Sequence, residues 1–464
     1  MNLESILTLM IERVSVARTE FIQVRVQDDT RTNVLMTDGR VDEVSSIRMK
    51  GASARAYRNG IWAFAAVAGL SDKQVRDVVS NAFRIARFTR GTKTRPSTRL
   101  RLPPPVKERV KIGSQGELTD TSLEQKVGFL RDLSRQATTH IRCKIRTRLV
   151  YTEKKGKVSI LDSNGLTIEI PISSWGLIMS ISAKKKGKAQ EVARACGGQG
   201  EFEVINNEKT LQTVVDLVEQ AERLTQARRL RSGVFRTVLD PETAGVIVHE
   251  AVGHASESDI GLSPIVMSRK SVGDAIASST VTVVDDPTIP NLAGSLSFDD
   301  EGTLARQKKL ISNGRLSCFM TDMATANQFR LPLTGNARCQ DYRYPPIVRM
   351  TNTFMIPGTW KMEEMIEATR SGIYLAGPAY GRIDYNKGVF ELKCAEAALI
   401  SKGRLTDRFA QITAVGRIRD TLKKIVATGD DLRFGQNLCR KFAQDIDLTI
   451  GSPHIMVKNL AVFG

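Results

Sequence analysis

Two of the chain's four histidines stand within one short segment, His249-Glu250-Ala251-Val252-Gly253-His254. Imidazole is a common metal ligand, and a glutamate next to the first histidine is placed to act as a base at an open coordination position. The combination points to metal-assisted hydrolysis. Zinc suits such a set because it accepts imidazole, carboxylate and thiolate in a tetrahedron and keeps the fourth place for water in catalytic sites. The metal would lower that water's pKa toward about 7, and Glu250 would take its proton and later pass it to a leaving amine.

The element that must position these residues is itself legible. Asp240-Pro241 supplies an N-cap followed by proline at the first helical position, and Thr243–Val252 is an apolar run, so the motif begins and ends on a mostly buried helix. The spacing is awkward. At about 3.6 residues per turn, positions i and i+5 lie about 140° apart, too far for one metal on a regular helix. Gly253 offers the remedy, since a π-type bulge or a break just before His254 swings the second imidazole back. A third protein ligand is also required. By spacing alone, Glu257, Asp259, His454 and several cysteines stay open as candidates.

Composition limits what surrounds this segment. The chain has 464 residues, 41% hydrophobic and 25% charged, which is the profile of an ordinary globular protein of more than one domain. Its charge is +18, with 68 Lys+Arg against 50 Asp+Glu, and it is uneven. Residues 1–235 carry 41 basic and 25 acidic side chains, whereas 236–464 carry 27 and 25. The basic residues do not cluster beyond Lys184-Lys185-Lys186-Gly187-Lys188 and form no nucleic-acid motif, which argues against a nucleic-acid partner. Six cysteines without a CxxC pair suit a reducing, cytoplasmic compartment. The longest apolar stretches, 60–70 and 170–183, fall short of the roughly 20 residues that cross a bilayer, and the amphipathic start MNLESILTLMIERV reads as a docking helix.

The fold class read from these patterns is α+β. Residues 1–235 form an N-terminal α/β domain. Hairpins turn on Asp38-Gly39 and Asn164-Gly165, helices follow Ser71 and Ser122, and a long helix runs from about Asn207 to Leu230. Phe21–Val26, Thr32–Met36 and Val41–Lys50 read as strands, as do Ile141–Tyr151, Val158–Asp162 and Leu166–Ile170; Thr92–Lys111 reads as an extended connector. The likeness of NVLMTDGRVDEV to VSILDSNGLTIEI suggests a duplicated helix-and-sheet unit. Residues 236–464 form a β-rich C-terminal domain with one clear helix at about Met362–Ser371.

The stretch VIVHEAVGHASESD at 246–259 resembles the signature of the TldD/PmbA family of metallopeptidases. The resemblance continues through VVDDPTIP (283–290), FDDEGT (298–303), LTGNAR (333–338) and VRMTNTFMIPG (348–358), and reaches the C-terminus. It implies a metal held by His249, His254 and Cys439, one zinc per chain, Glu250 as the catalytic base, and Glu257 and Asp259 as groups orienting a ligand or the helix end. It also implies a C-terminal domain built on a curved sheet carrying the metal helix. Because the motif is intact, the chain resembles the active TldD-type subunit. Such proteins act on small or unfolded peptides as homodimers or as heterodimers with a PmbA/TldE-like homologue. The family's usual Cys-Gly-Lys-x-Gly-Gln is here Cys439-Arg440-Lys441-Phe442-Ala443-Gln444, so both glycines are lost beside the implied third ligand.

Overall fold

The computed structural model describes residues 6, 20–89, 100–109, 121–139, 143–200, 202–261, 272–384 and 387–464. The expected N-terminal docking helix lies outside these residues apart from Ile6, as does part of the connector 92–111.

The first half is built on long antiparallel strands. Phe21–Thr37, Arg40–Arg58 and Ile61–Ala68 form one meander, and Lys144–Asp162, Thr167–Lys185 and Lys188–Gln199 form another. The two meet through their first strands, with Gln23 opposite Asp162 and Thr37 opposite Arg148. Several segments expected as separate short strands are therefore continuous. The polar stretch between them looked like a break, yet Asp28 and Asp29 lie opposite Lys157 and Gly156 across the central pair. Opposite charges across a ladder favour pairing, and Gly156 lets the backbones close, since a Cβ there would meet the Asp28 carbonyl at 2.3 Å.

Helices cover one face of this sheet. Asp72–Phe88 and Leu123–Thr138 each start with a complete capping box, Ser71 with Gln74 and Ser122 with Gln125. Val75, Val78, Val79 and Ala82 of the first pack on Ile22, Val24 and Ala54. The helix Glu208–Leu224 stops six residues before the expected end: Thr225 turns its hydroxyl onto the Glu222 carbonyl, and Arg228 then leaves to bridge Phe409.

Among the described residues, the second half holds two six-stranded sheets and a two-stranded one, Ala337–Arg338 with Ile347–Val348. Of the two larger, one runs in the order 404–417, 389–401, 371–384, 233–239, 455–463, 425–428, and 404–417 also pairs with 455–463, so this curved sheet closes on itself. Its first strand, Gly233–Leu239, leads directly into the helix Pro241–Ile247. The other sheet ends with 352–355, 444–452 and, at its edge, Arg433–Lys441. The helix at Met362–Thr369 stands where it was expected. The apolar core of this half gathers around the segment 244–255, with Ile373, Leu392, Ile412 and Ile450 among the side chains that enclose it. No helix among the described residues is long and apolar enough to cross a membrane.

Candidate metal centre

Asp240 caps the helix as its sequence suggests, accepting the Thr243 N–H at 2.7 Å, and Pro241 occupies the first turn. The α-helix ends at Ile247, and Val248–Gly253 continues as a π-helix in which the His254 N–H donates to the His249 carbonyl. One extra residue in the turn resolves the spacing problem: in a π turn i and i+5 lie on the same side. The two rings accordingly sit 4.7 Å apart, centroid to centroid. Gly253 is required here for space and not for its backbone angle. Its φ is an ordinary −55°, but a Cβ would lie 2.0 Å from the sulfur of the buried Met350.

Cys439 arrives from the edge strand Arg433–Lys441 of a different sheet. Its Sγ is 3.3 Å from His254 Nε2, and the ligand atoms of His249, His254 and Cys439 all lie within 4.8 Å of one another. All three residues are buried. Burial by itself pushes the Cys439 thiol up, but the charges and hydrogen bonds of His249 and His254 more than reverse that and hold it at about 5.

Glu257 is fully buried and accepts from His254 Nδ1 at 2.8 Å. Burial would raise this carboxyl, yet the Lys441 ammonium and His254 bring it down to about 2. Burial likewise works against a charged His254, and Glu257 and Cys439 overcome it, raising the imidazole to about 10. Asp259 is pushed up to about 6 by burial, which the neighbouring Lys441 only partly offsets. Glu250 is buried against Gly381, where a Cβ would stand 3.1 Å from the Glu250 Cγ and 2.4 Å from Val246. A glycine there leaves the carboxylate room.

The donor set fits zinc. Zinc bonds of about 2.0–2.3 Å set tetrahedral donors roughly 3.3–3.6 Å apart, which the Cys439 to His254 separation matches. The Nδ1 of His249 is buried with no hydrogen-bond partner, a costly arrangement that a ligand for this ring or the pocket around it would relieve. A cation among these groups replaces the proton that the thiolate and imidazoles otherwise share.

The remaining candidates fall elsewhere. His454 holds Asp431 at 2.7 Å and the Tyr374 hydroxyl at 3.1 Å. Among the described residues, the other five cysteines join no metal-ligand cluster. Two groups were missed by sequence reasoning. Lys441 stands two residues after Cys439 and therefore on the same strand face, a period-two signal that was available. Arg349, fully buried, donates to the Cys439 carbonyl at 2.5 Å and the Gln444 carbonyl at 3.2 Å, and had no such signal.

Comparison with known proteins now bears on this geometry. Residues 232–464 match the PmbA/TldA metallopeptidase C-terminal domain, and 22–86 match PmbA/TldA metallopeptidase domain 1. A metalloprotease of Methanothermobacter thermautotrophicus is 32% identical over 96% of each chain. The chain belongs to the TldD/PmbA metallopeptidase family. A second relative, named a zinc metalloprotease TldD homolog, from Saccharolobus solfataricus, is 27% identical over 98% of this chain and 99% of its own. The solved structure of TldE from Thermococcus kodakarensis shares the fold with a TM-score of 0.76 at 17% identity, covering 98% of this chain and 100% of that one.

For a TldD/PmbA chain, the lost glycines after Cys439 now have a location. Arg440, Phe442 and Ala443 are all exposed at the tip of the hairpin, and Arg440 pairs with Asp445 across it at 2.8 Å. Lys441 and Gln444 point inward, Gln444 accepting from the Gln340 N–H and donating to the Pro345 carbonyl. The departures therefore face solvent while the anchoring residues are kept. One of the two carries a conformational cost: Ala443 takes a positive φ of 61°, a region glycine enters far more readily.

Proposed function

We propose that this chain is an active, TldD-type zinc peptidase that hydrolyses small or unfolded peptides. The observation that carries the reading is the convergence of His249 and His254, brought together by a buried π segment that also carries Glu250, with Cys439 from the strand Arg433–Lys441. These three residues would hold one zinc ion per chain, which when bound supplies a Lewis acid for the scissile carbonyl and for a water molecule. Glu250 serves as the general base. Its carboxylate takes a proton from the water as the oxygen attacks the peptide carbonyl, and returns it to the departing amine nitrogen as the C–N bond breaks. Gly381, with no side chain, leaves the space that the carboxylate and its stem occupy. Glu257 keeps His254 oriented through its Nδ1.

The protein works in the cytoplasm as a homodimer or with a PmbA/TldE-like homologue, and the basic first half draws partners or acidic peptides rather than nucleic acid. Purified chain, alone and with any co-purifying homologue, is assayed for zinc content and for cleavage of an unstructured peptide by mass spectrometry. The expected result is about one zinc per chain and peptide products. Glu250→Gln should retain zinc and lose turnover by roughly 10²–10⁴-fold. Cleavage at the original rate by that variant would overturn the mechanism.

A further inference from the structure

Cys439 and His254 are 185 positions apart in the chain, so the strand that delivers the thiolate must be held against the metal helix by contacts of its own. Lys441 makes them. It is buried on the same strand face as Cys439, and its ammonium donates to Glu257 Oε2 at 3.0 Å, Asp259 Oδ1 at 2.7 Å and the Val348 carbonyl at 2.8 Å. An ammonium has three N–H donors, and all three find acceptors here. The Glu257 oxygen that accepts from Lys441 is also the one that meets His254 Nδ1 at 2.8 Å. A single carboxylate oxygen thus joins the cysteine's strand to the second histidine's ring.

We propose that Lys441 is a positioning residue of the metal centre, locking the end of the Cys439 strand onto the segment after His254 and, through Glu257, fixing how His254 presents its Nε2. The inference rests on the reading of His249, His254 and Cys439 as metal ligands. It separates Lys441 from Arg349, which grips the Cys439 carbonyl and the Gln444 carbonyl of the same hairpin. Arg349 steadies the hairpin internally, whereas Lys441 ties it to the helix. Loss of a group that orients a ligating histidine typically weakens metal binding 10–100-fold.

The test measures zinc affinity by competition with a chromogenic chelator, and the visible spectrum of the cobalt(II)-loaded full chain, which reports thiolate and imidazole coordination. Lys441→Met should weaken zinc at least tenfold and alter the cobalt bands, with Lys441→Arg recovering part of both. A folded Lys441→Met variant with wild-type affinity and spectrum would overturn the proposal. If that variant does not fold, Asp259→Ala decides, because it removes one Lys441 anchor at the partly exposed edge of the cluster. A fall of about threefold or more supports the proposal, and unchanged affinity overturns it. Wild type and Cys439→Ser are run in parallel. If wild type binds no zinc, or Cys439→Ser binds it equally well, the ligand assignment fails; if both behave as expected and Lys441→Met is silent, only the positioning role fails.

Discussion

The two halves of the molecule differ in how much charge they bury. The first carries nearly all of the net positive charge and displays much of it on its surface: Arg48 with Asp28, Lys157 with Glu169 and Arg135 with Asp132 are ion pairs with at least one largely solvated member. The second half is close to neutral, yet it buries ions outright. Asp285 is fully enclosed and accepts from Lys308, Asn336, Thr351 and Thr353, and Glu257, Lys441 and Arg349 are enclosed around the candidate metal centre. A solvated pair gains little over its hydrated parts, whereas a buried ion is retained only where close partners offset the loss of its hydration. Net charge therefore points to the wrong half, and burial of charge points to the right one.

This contrast can be broken by three substitutions, in descending order of expected effect. Asp285→Ala removes the acceptor that donors from four residues share, and leaves the Lys308 ammonium without its carboxylate. A loss of about 3–5 kcal/mol in urea-unfolding stability is expected. A loss no larger than that of a surface pair would erase the distinction between the halves.

Glu396 lies between the extremes, where the halves meet. It is held by Arg223 of the first half and by Arg408 of its own sheet. Burial acts to raise this carboxyl, and the two guanidiniums prevail and hold it below its ordinary value of 4.5. A depressed folded-state pKa means stability that is fully present above the unfolded value and is lost as pH falls through the folded one. Wild type should therefore melt at a higher temperature than Glu396→Gln at pH 7, and the two curves should converge below pH 4.5. Parallel curves across that range would remove the ion pair from the interface's stability.

Arg48→Ala is the smallest. Its midpoint should coincide with that of wild type in 0.15 M salt, because the pair with Asp28 is solvated and screened. A clear loss there would show that the basic half relies on its surface pairs after all.

Much of the site was readable before any coordinates. The histidine pair, its glutamate, the cap at Asp240 and the need for a π-type bulge or a break before His254 all follow from residues adjacent in the chain, where bond geometry and helical period set the outcome. The strands of the first half were read too short, because charged stretches such as Asp28–Arg31 look like turns until the oppositely charged partner strand is known. The same difficulty hid Arg349, whose role exists only because the Cys439 hairpin folds over it.

Sequence alone determined the chemistry: which donors are present, and that the helix must deform at Gly253 to bring two of them together. Spacing left the third donor open and the family resemblance pointed to Cys439; the tertiary structure shows which candidate lies beside both histidines. Glu257, Asp259, His454 and the cysteines were equivalent by spacing; packing took Glu257 and Asp259 to Lys441 and His454 to Asp431 and Tyr374, leaving Cys439 beside the histidines. The physical reason is range. Local geometry is written in the few residues it spans, whereas the meeting of a helix with a strand 185 residues later depends on how two sheets and their enclosed ions settle against each other.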